Sequence, residues 1–154
     1  MTSESDPVEV LNESECWSVL RTVQLGRLAV STPAGVDIFP INFVIDHGTV
    51  VFRTAAGTKF SAALSGEPVA FEADGQEVGT QLLWSVVIHG NASEIRDRDE
   101  ALDALRLPLT PAQAARKPRF LRITPRSVTG RRFELSDPEV WTTPISHSPR
   151  AAVD

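Results

Sequence analysis

The alternation of apolar and polar residues changes period several times along this chain, and each change marks an element. Near the start Cys16, Val19, Leu20 and Val23 recur at helical spacing, so a helix is predicted over Glu13–Thr22. Asn12 and Glu15 stand at the separation of a capping box, and Gly26 punctuates the exit. The period then shortens. Arg27–Ser31 reads as a short apolar strand and Thr32-Pro33-Ala34-Gly35 as a turn. Val36–Ile45 is a branched and aromatic strand in which Pro40 demands a bulge or an edge. Asp46-His47-Gly48 predicts a hairpin turn, with Thr49–Thr54 returning antiparallel.

The second half repeats the vocabulary. Lys59–Ser65 reads as a short helix ended by Gly66, and Val69–Ala73 as a strand. Asp74–Thr80 is a polar loop, and Leu82–Ile95 is a long strand whose apolar start suggests burial on both faces. Asp97 and Glu100 suit the start of a helix running to about Leu107, closed by Pro108. Phe120–Thr124 and Ser127–Glu134 read as the last two strands. Residues 1–10 are expected to form a mobile leader, residues 11–135 the folded domain and residues 136–154 a partly disordered tail with Trp141 as a possible anchor. Hairpin-linked strands outnumber strand–helix–strand units. The fold class is therefore mainly β (α+β), an antiparallel barrel with peripheral helices.

Composition narrows the function. The chain has 154 residues, enough for one domain with a sizeable core, and a formal net charge of -5. A general nucleic-acid binder normally carries a positive excess, so none is expected here. No apolar run is long enough to span a bilayer, and the acidic start MTSESDPVE is unlike a signal peptide, which predicts a cytoplasmic protein. The single cysteine, Cys16, reads as a buried structural thiol. His47, His89 and His147 fall in a turn, a strand and the tail, a spacing that suits no metal site. Asp97, Asp99, Glu100 and Asp103 read as an acidic helix start.

One segment concentrates chemistry. In VVFRTAAGTKFSAAL, Val50–Leu64, an apolar strand ends in Arg53 and Thr54, a small-residue turn follows, and Thr58 and Lys59 open a helix. A guanidinium, an ammonium, two hydroxyls and the amides of a helix start suit a phosphate dianion. This is not a P-loop, since Phe52 stands where its first glycine belongs. The bland alternative, two solvated surface cations, fits the same residues about equally well on these grounds alone.

Five segments together (LGRLAVST, IFPINFVIDHGTVVFRTAAGTKFSAAL, VAFEADG, WSVVIHGNASEI and RITPRSVTGRRF) resemble the pyridoxamine 5'-phosphate oxidase-like family of flavin-binding split barrels, in particular its small actinobacterial-type members. The likeness spans roughly Glu13–Phe133. It implies a six-stranded antiparallel split β-barrel that forms a homodimer, with FMN in two clefts at the interface. It further implies that Arg53, Thr54, Thr58 and Lys59 hold the phosphate, that Pro40, Ile41 and Asn42 line the isoalloxazine ring, and that Trp84 and Ser85 approach from the partner subunit. Core packing is the competing role for Trp84. The GRR segment with Arg131 and Arg132 recurs in that subgroup. The substrate-phosphate motif of the vitamin B6 oxidases is not found, and Leu83 and Leu109 replace a glycine and a tryptophan usual in the small actinobacterial-type subgroup. The expected function is an FMN-dependent oxidoreductase acting on a small molecule. The alternatives are a reductase using the deazaflavin F420, whose anionic tail Arg119, Arg122, Arg131 and Arg132 would serve, and a non-enzymatic flavin or haem carrier. No catalytic side chain is named.

Overall fold

The computed structural model describes residues 8–54, 57–97, 100 and 119–134, with the side chains of residues 58–60 outside that set. The elements are β1 Val8–Leu11, α1 Glu13–Leu20, β2 Leu25–Thr32, β3 Gly35–Asp46, β4 Thr49–Thr54, α2 Thr58–Ala63, β5 Val69–Gln76, β6 Leu82–Glu94 and β7 Arg119–Glu134. All pairings are antiparallel. Strand order is β1-β7-β4-β3-β2-β5-β6, and a further β6–β7 ladder closes six of the strands into a barrel. Only β1 lies outside that ring, paired to the end of β7 opposite Gly130–Phe133.

The capping box forms as expected. The Asn12 side chain accepts from the Glu15 amide at 2.9 Å, and Glu15 accepts from the Asn12 amide at 3.2 Å. The hairpin at Asp46–Thr49 turns through His47 and Gly48, both at positive φ (48° and 67°), which matches the twist of the flanking strands. Strict alternation sends Leu28, Val30, Phe39, Ile41, Phe43, Phe52, Phe71, Val86 and Ile88 into the barrel. Phe43 and Phe71 meet there edge to face, with centroids 4.8 Å apart. Each fully buried phenylalanine contributes about 1.5–3 kcal/mol relative to exposure. Helix α1 packs on β5, β6 and β7, while α2 packs on β2 and β6.

Three expectations change. Strand β1 begins inside the stretch read as a leader, because too few residues alternate there to signal a strand. Asp74–Gln76, expected in a loop, extends β5 along the long partner β6. The two strands expected at the end are one, β7, with a bulge: His89 faces Ser127 but Gly90 faces Pro125, which leaves Arg126 as the extra residue. Pro40 takes the edge option: it faces Arg27 of β2, and the β4 side of the strand is open there. The helix expected after Asp97, Leu109 and the tail from Ser136 with Trp141 lie outside the described residues. At its start the Glu100 amide does donate to Asp97 Oδ1 at 3.1 Å.

Candidate functional site

The sheet splits where β3 changes partners. From Phe43 to Asp46 this strand pairs with β4, ending at Phe43↔Phe52. From Asn42 back to Gly35 it pairs only with β2, and the Phe43 amide already donates to Gln24 O at 3.0 Å. Strand β4 meanwhile runs on through Arg53 and Thr54, held by Phe120 and Arg119 of β7. The two strands diverge at this point. Pro40 and Asn42 stand exposed on one side of the split, with Arg53 and Thr54, both half-buried, on the other.

Four of the nine expected site residues border this split. The Arg53 Nε is sealed from solvent. Ile41 differs: its side chain belongs to the core, because alternation turns it inward between Pro40 and Asn42, so only its backbone faces the split. Thr58 and Lys59 are the first residues of α2, which follows β4 directly. Their side chains are outside the described set. The Ser61 amide closes the first turn onto Gly57 O at 3.0 Å.

Trp84 and Ser85 are elsewhere. Arg53 faces Phe120 near the start of β7, whereas Ser85 faces Arg131 near its end, eleven residues further along. At about 3.3 Å per residue that is roughly 35 Å of strand path. Trp84 points into the barrel and is 2 % exposed, so its main role is packing. Ser85 points outward and borders two surface grooves. Along β7 these residues are therefore remote from Arg53, while across the sheet Pro40, Arg27, Glu72 and Val87 stand in successive strands.

The arginines proposed for an F420 tail are mostly engaged. Arg122 donates to Asp46 Oδ2 at 3.0 Å and to Thr49 Oγ1 at 2.6 Å. Burial pushes the Asp46 carboxyl up, but hydrogen bonds from Arg122 and His47, and their charges, outweigh it and hold the group below its ordinary value. Arg119 lies 3.7 Å from Glu94. Arg132 reaches Glu9 at 3.2 Å, Glu77 at 3.6 Å and Glu15 at 3.9 Å, tying β1, the start of α1 and the β5–β6 connection together. That is the structural role of the second arginine in the GRR segment.

One charged cluster escaped the sequence reading. On the outer face of β2 and β5, Arg27 Nε donates to Glu72 at 2.6 Å and its Nη2 to Asp74 at 2.9 Å. Burial raises the Glu72 carboxyl, and neighbouring Asp74 adds to the rise against the pull of Arg27. Arg27 and Glu72 occupy the outward positions of two alternating strands, which was the available signal. Cys16 is fully buried; burial, then the charges of Glu15 and Glu13, push its thiol up, as expected for an unreactive group. No helix among the described residues is long and apolar enough to cross a membrane.

The profile of the pyridoxamine 5'-phosphate oxidase family matches residues 12–132. Among solved structures, a Corynebacterium glutamicum protein described as a putative pyridoxamine 5'-phosphate oxidase is 41% identical, with 84% of this chain and 100% of that chain covered at a TM-score of 0.74. The FAD binding protein from Mycobacterium smegmatis is also 41% identical, over 83% of this chain and 100% of that one, again at 0.74. The uncharacterised protein Rv0080 of Mycobacterium tuberculosis is 32% identical over 128 residues, 80% of this chain and 84% of its own length. Fold, motif order and these likenesses agree: the chain belongs to the pyridoxamine 5'-phosphate oxidase family.

Proposed function

We propose that this chain is a homodimeric flavin-binding oxidoreductase of the cytoplasm acting on a small molecule. The observation that carries the reading is the split itself: the strand divergence leaves Arg53 and Thr54 facing Asn42 across an opening, immediately before the helix that begins with Thr58 and Lys59. Arg53 supplies a planar fork for two phosphate oxygens, and Lys59 a point charge. Thr54 and Thr58 supply hydroxyl donors. The exposed backbone around Pro40 and Asn42 offers a flat strand edge for a ring system. FMN and FAD share the riboflavin phosphate that this donor set suits, and the Mycobacterium smegmatis relative is an FAD binding protein. When bound, a flavin supplies the electron chemistry. The chain's own residues bind its phosphate, orient the ring and exclude water.

The separation of Ser85 from Arg53 along β7 supports the dimer. If both wall one cleft, they come from different protomers. Coexpressed Arg53→Ala and Ser85→Trp chains then regain one full-affinity site per mixed dimer, while each variant alone binds at least tenfold more weakly. Failure to regain binding removes the shared cleft. The first test is simpler: visible absorbance of the purified protein, titrated with FMN, FAD, F420 or haem. Flavin uptake with one site per chain is expected. Uptake of F420 or haem alone, or of nothing, overturns the reading.

A further inference from the structure

The outer face of the sheet carries charge between the two expected walls of the cofactor cleft. Arg27 of β2 stands opposite Pro40 of β3 on one side and opposite Glu72 of β5 on the other. Glu72 in turn stands opposite Val87 of β6, and Asp74 opposite Ser85. The cluster is thus one strand from Pro40 and one strand from Ser85, and it borders the cleft whichever protomer supplies each wall. Arg27 holds both acids, Glu72 through Nε at 2.6 Å and Asp74 through Nη2 at 2.9 Å. One guanidinium against two carboxylates leaves a surplus negative charge. A bridge between β2 and β5 needs only one of the acids; the second sets like charges side by side and costs stability.

Glu72 is the more shielded acid, its side chain 31 % exposed against 61 % for Asp74. Burial, joined by Asp74, raises its carboxyl against the pull of Arg27. On the same face, His89 of β6 lies 3.5 Å from Ser127, and Arg131 is the residue opposite Ser85. Among the described residues, the charges that act on the Glu72 carboxyl are those of Arg27 and Asp74. Two strand spacings of about 4.8 Å separate Glu72 from Pro40, within the roughly 10 Å over which a charge acts at about 0.1 M salt. We propose that Glu72, fixed by Arg27 and Asp74, sets the charge beside the flavin ring and tunes the electron affinity of the cofactor, exchanging one proton as the flavin is reduced. This rests on the flavin reading. An external reductant supplies two electrons, and one proton follows them to the ring. The negative charge that remains draws a second proton from solvent onto the Glu72 carboxylate. Glu72 acts through its field and touches no reacting atom.

Two measurements test this. In the flavin-free protein, NMR titration of the side-chain carboxyls should place Glu72 above the ordinary glutamate range, and Asp74→Asn should bring it down. In the flavin-loaded protein, anaerobic titration with dithionite from acid to neutral pH should give a midpoint potential that falls more steeply with pH in the parent than in Glu72→Gln. The two proteins should coincide at low pH, where Glu72 carries its proton. At neutral pH the variant should lie about 30 mV higher, a tenfold gain in preference for the reduced flavin. Asp74→Asn, which keeps Glu72, should move the steep region to lower pH. Potentials that coincide at every pH, an offset that is the same at every pH, or a Glu72 carboxyl that titrates in the ordinary range would each overturn the proposal. Flavin uptake without these differences sinks this proposal alone; no flavin uptake sinks both readings.

Discussion

The two halves of β7 use the same materials to opposite ends. Before the bulge, Leu121 and Ile123 point into the barrel, while Phe120 packs with Val51 and Ile95 in a small outer cluster. The outward arginine of that half, Arg122, is held through Nη1 by Asp46 and Thr49. After the bulge the parity is reversed: Val128 and Arg132 take the inward phase and Arg131 the outward one. There the inward-phase arginine is ion-paired to three carboxylates, its Nε unbonded, and the outward one has no partner among the described residues. One inserted residue, Arg126, thus decides which guanidinium is structural and which is available. The first half fixes the strand that carries Arg53 to the split; the second braces the helix-capped end.

The largest effect should come from the second half. Gly130 lies under α1, and a Cβ built there would stand 2.6 Å from Cys16 Sγ and 3.2 Å from Leu11 Cδ1. Gly130→Ala should therefore lower stability by about 1–3 kcal/mol, as overpacking does. Combining it with Cys16→Ala should restore part of the loss, because the colliding sulfur is gone. Urea unfolding of the four proteins in the cycle measures this; additive losses would mean that the helix does not rest on this glycine.

In the first half, Arg53→Ala should weaken flavin binding at least tenfold, about 1.4 kcal/mol, with little change in unfolding. Fluorescence titration reads it, and an unchanged dissociation constant removes Arg53 from the phosphate site. A smaller contrast separates the adjacent arginines. Arg132→Ala should cost about 1 kcal/mol of stability, limited by the half-exposed carboxylates around it. Arg131→Ala should stay within about 0.5 kcal/mol of the parent. Equal losses would erase the distinction drawn between them.

How much of this was legible in the sequence depends on the range of the interaction. The capping box at Asn12 and Glu15, the His47–Gly48 turn and the span of β4 are local, and the residues state them directly. The split was accessible only through Pro40, which demanded an edge without saying which neighbour would be missing. Arg53 and Thr54 could be placed at a strand end, but their position across from Asn42 is a product of β3 changing partners. The bulge joining two expected strands into β7 has no local signature, since Pro125 alone reads as a break. With the parity of Arg131 and Arg132 hidden, both could be offered to an F420 tail but neither given a firm role. Trp84 read as core or dimer packing slightly ahead of cofactor wall, and the inward phase of β6 places it in the core.

The smallest effect is a dependence on pH that belongs to the first half alone. Asp46 is held below its ordinary value by Arg122 and His47, against the opposing effect of its own burial. The unfolded chain therefore takes up a proton at higher pH than the folded one. The stabilisation is complete above about pH 4, where the unfolded carboxyl is already ionised, and is lost as pH falls through the lower folded value. Asp46 and Arg122 are both less than a quarter exposed, so the pair should contribute about 0.5–1 kcal/mol. Asp46→Asn should lower stability at pH 7 by that amount and flatten the stability curve below about pH 4. A parallel curve, merely displaced downward, would show that the Asp46–Arg122 pair does not titrate with folding, and that the outward arginine of this half is held by Thr49 alone.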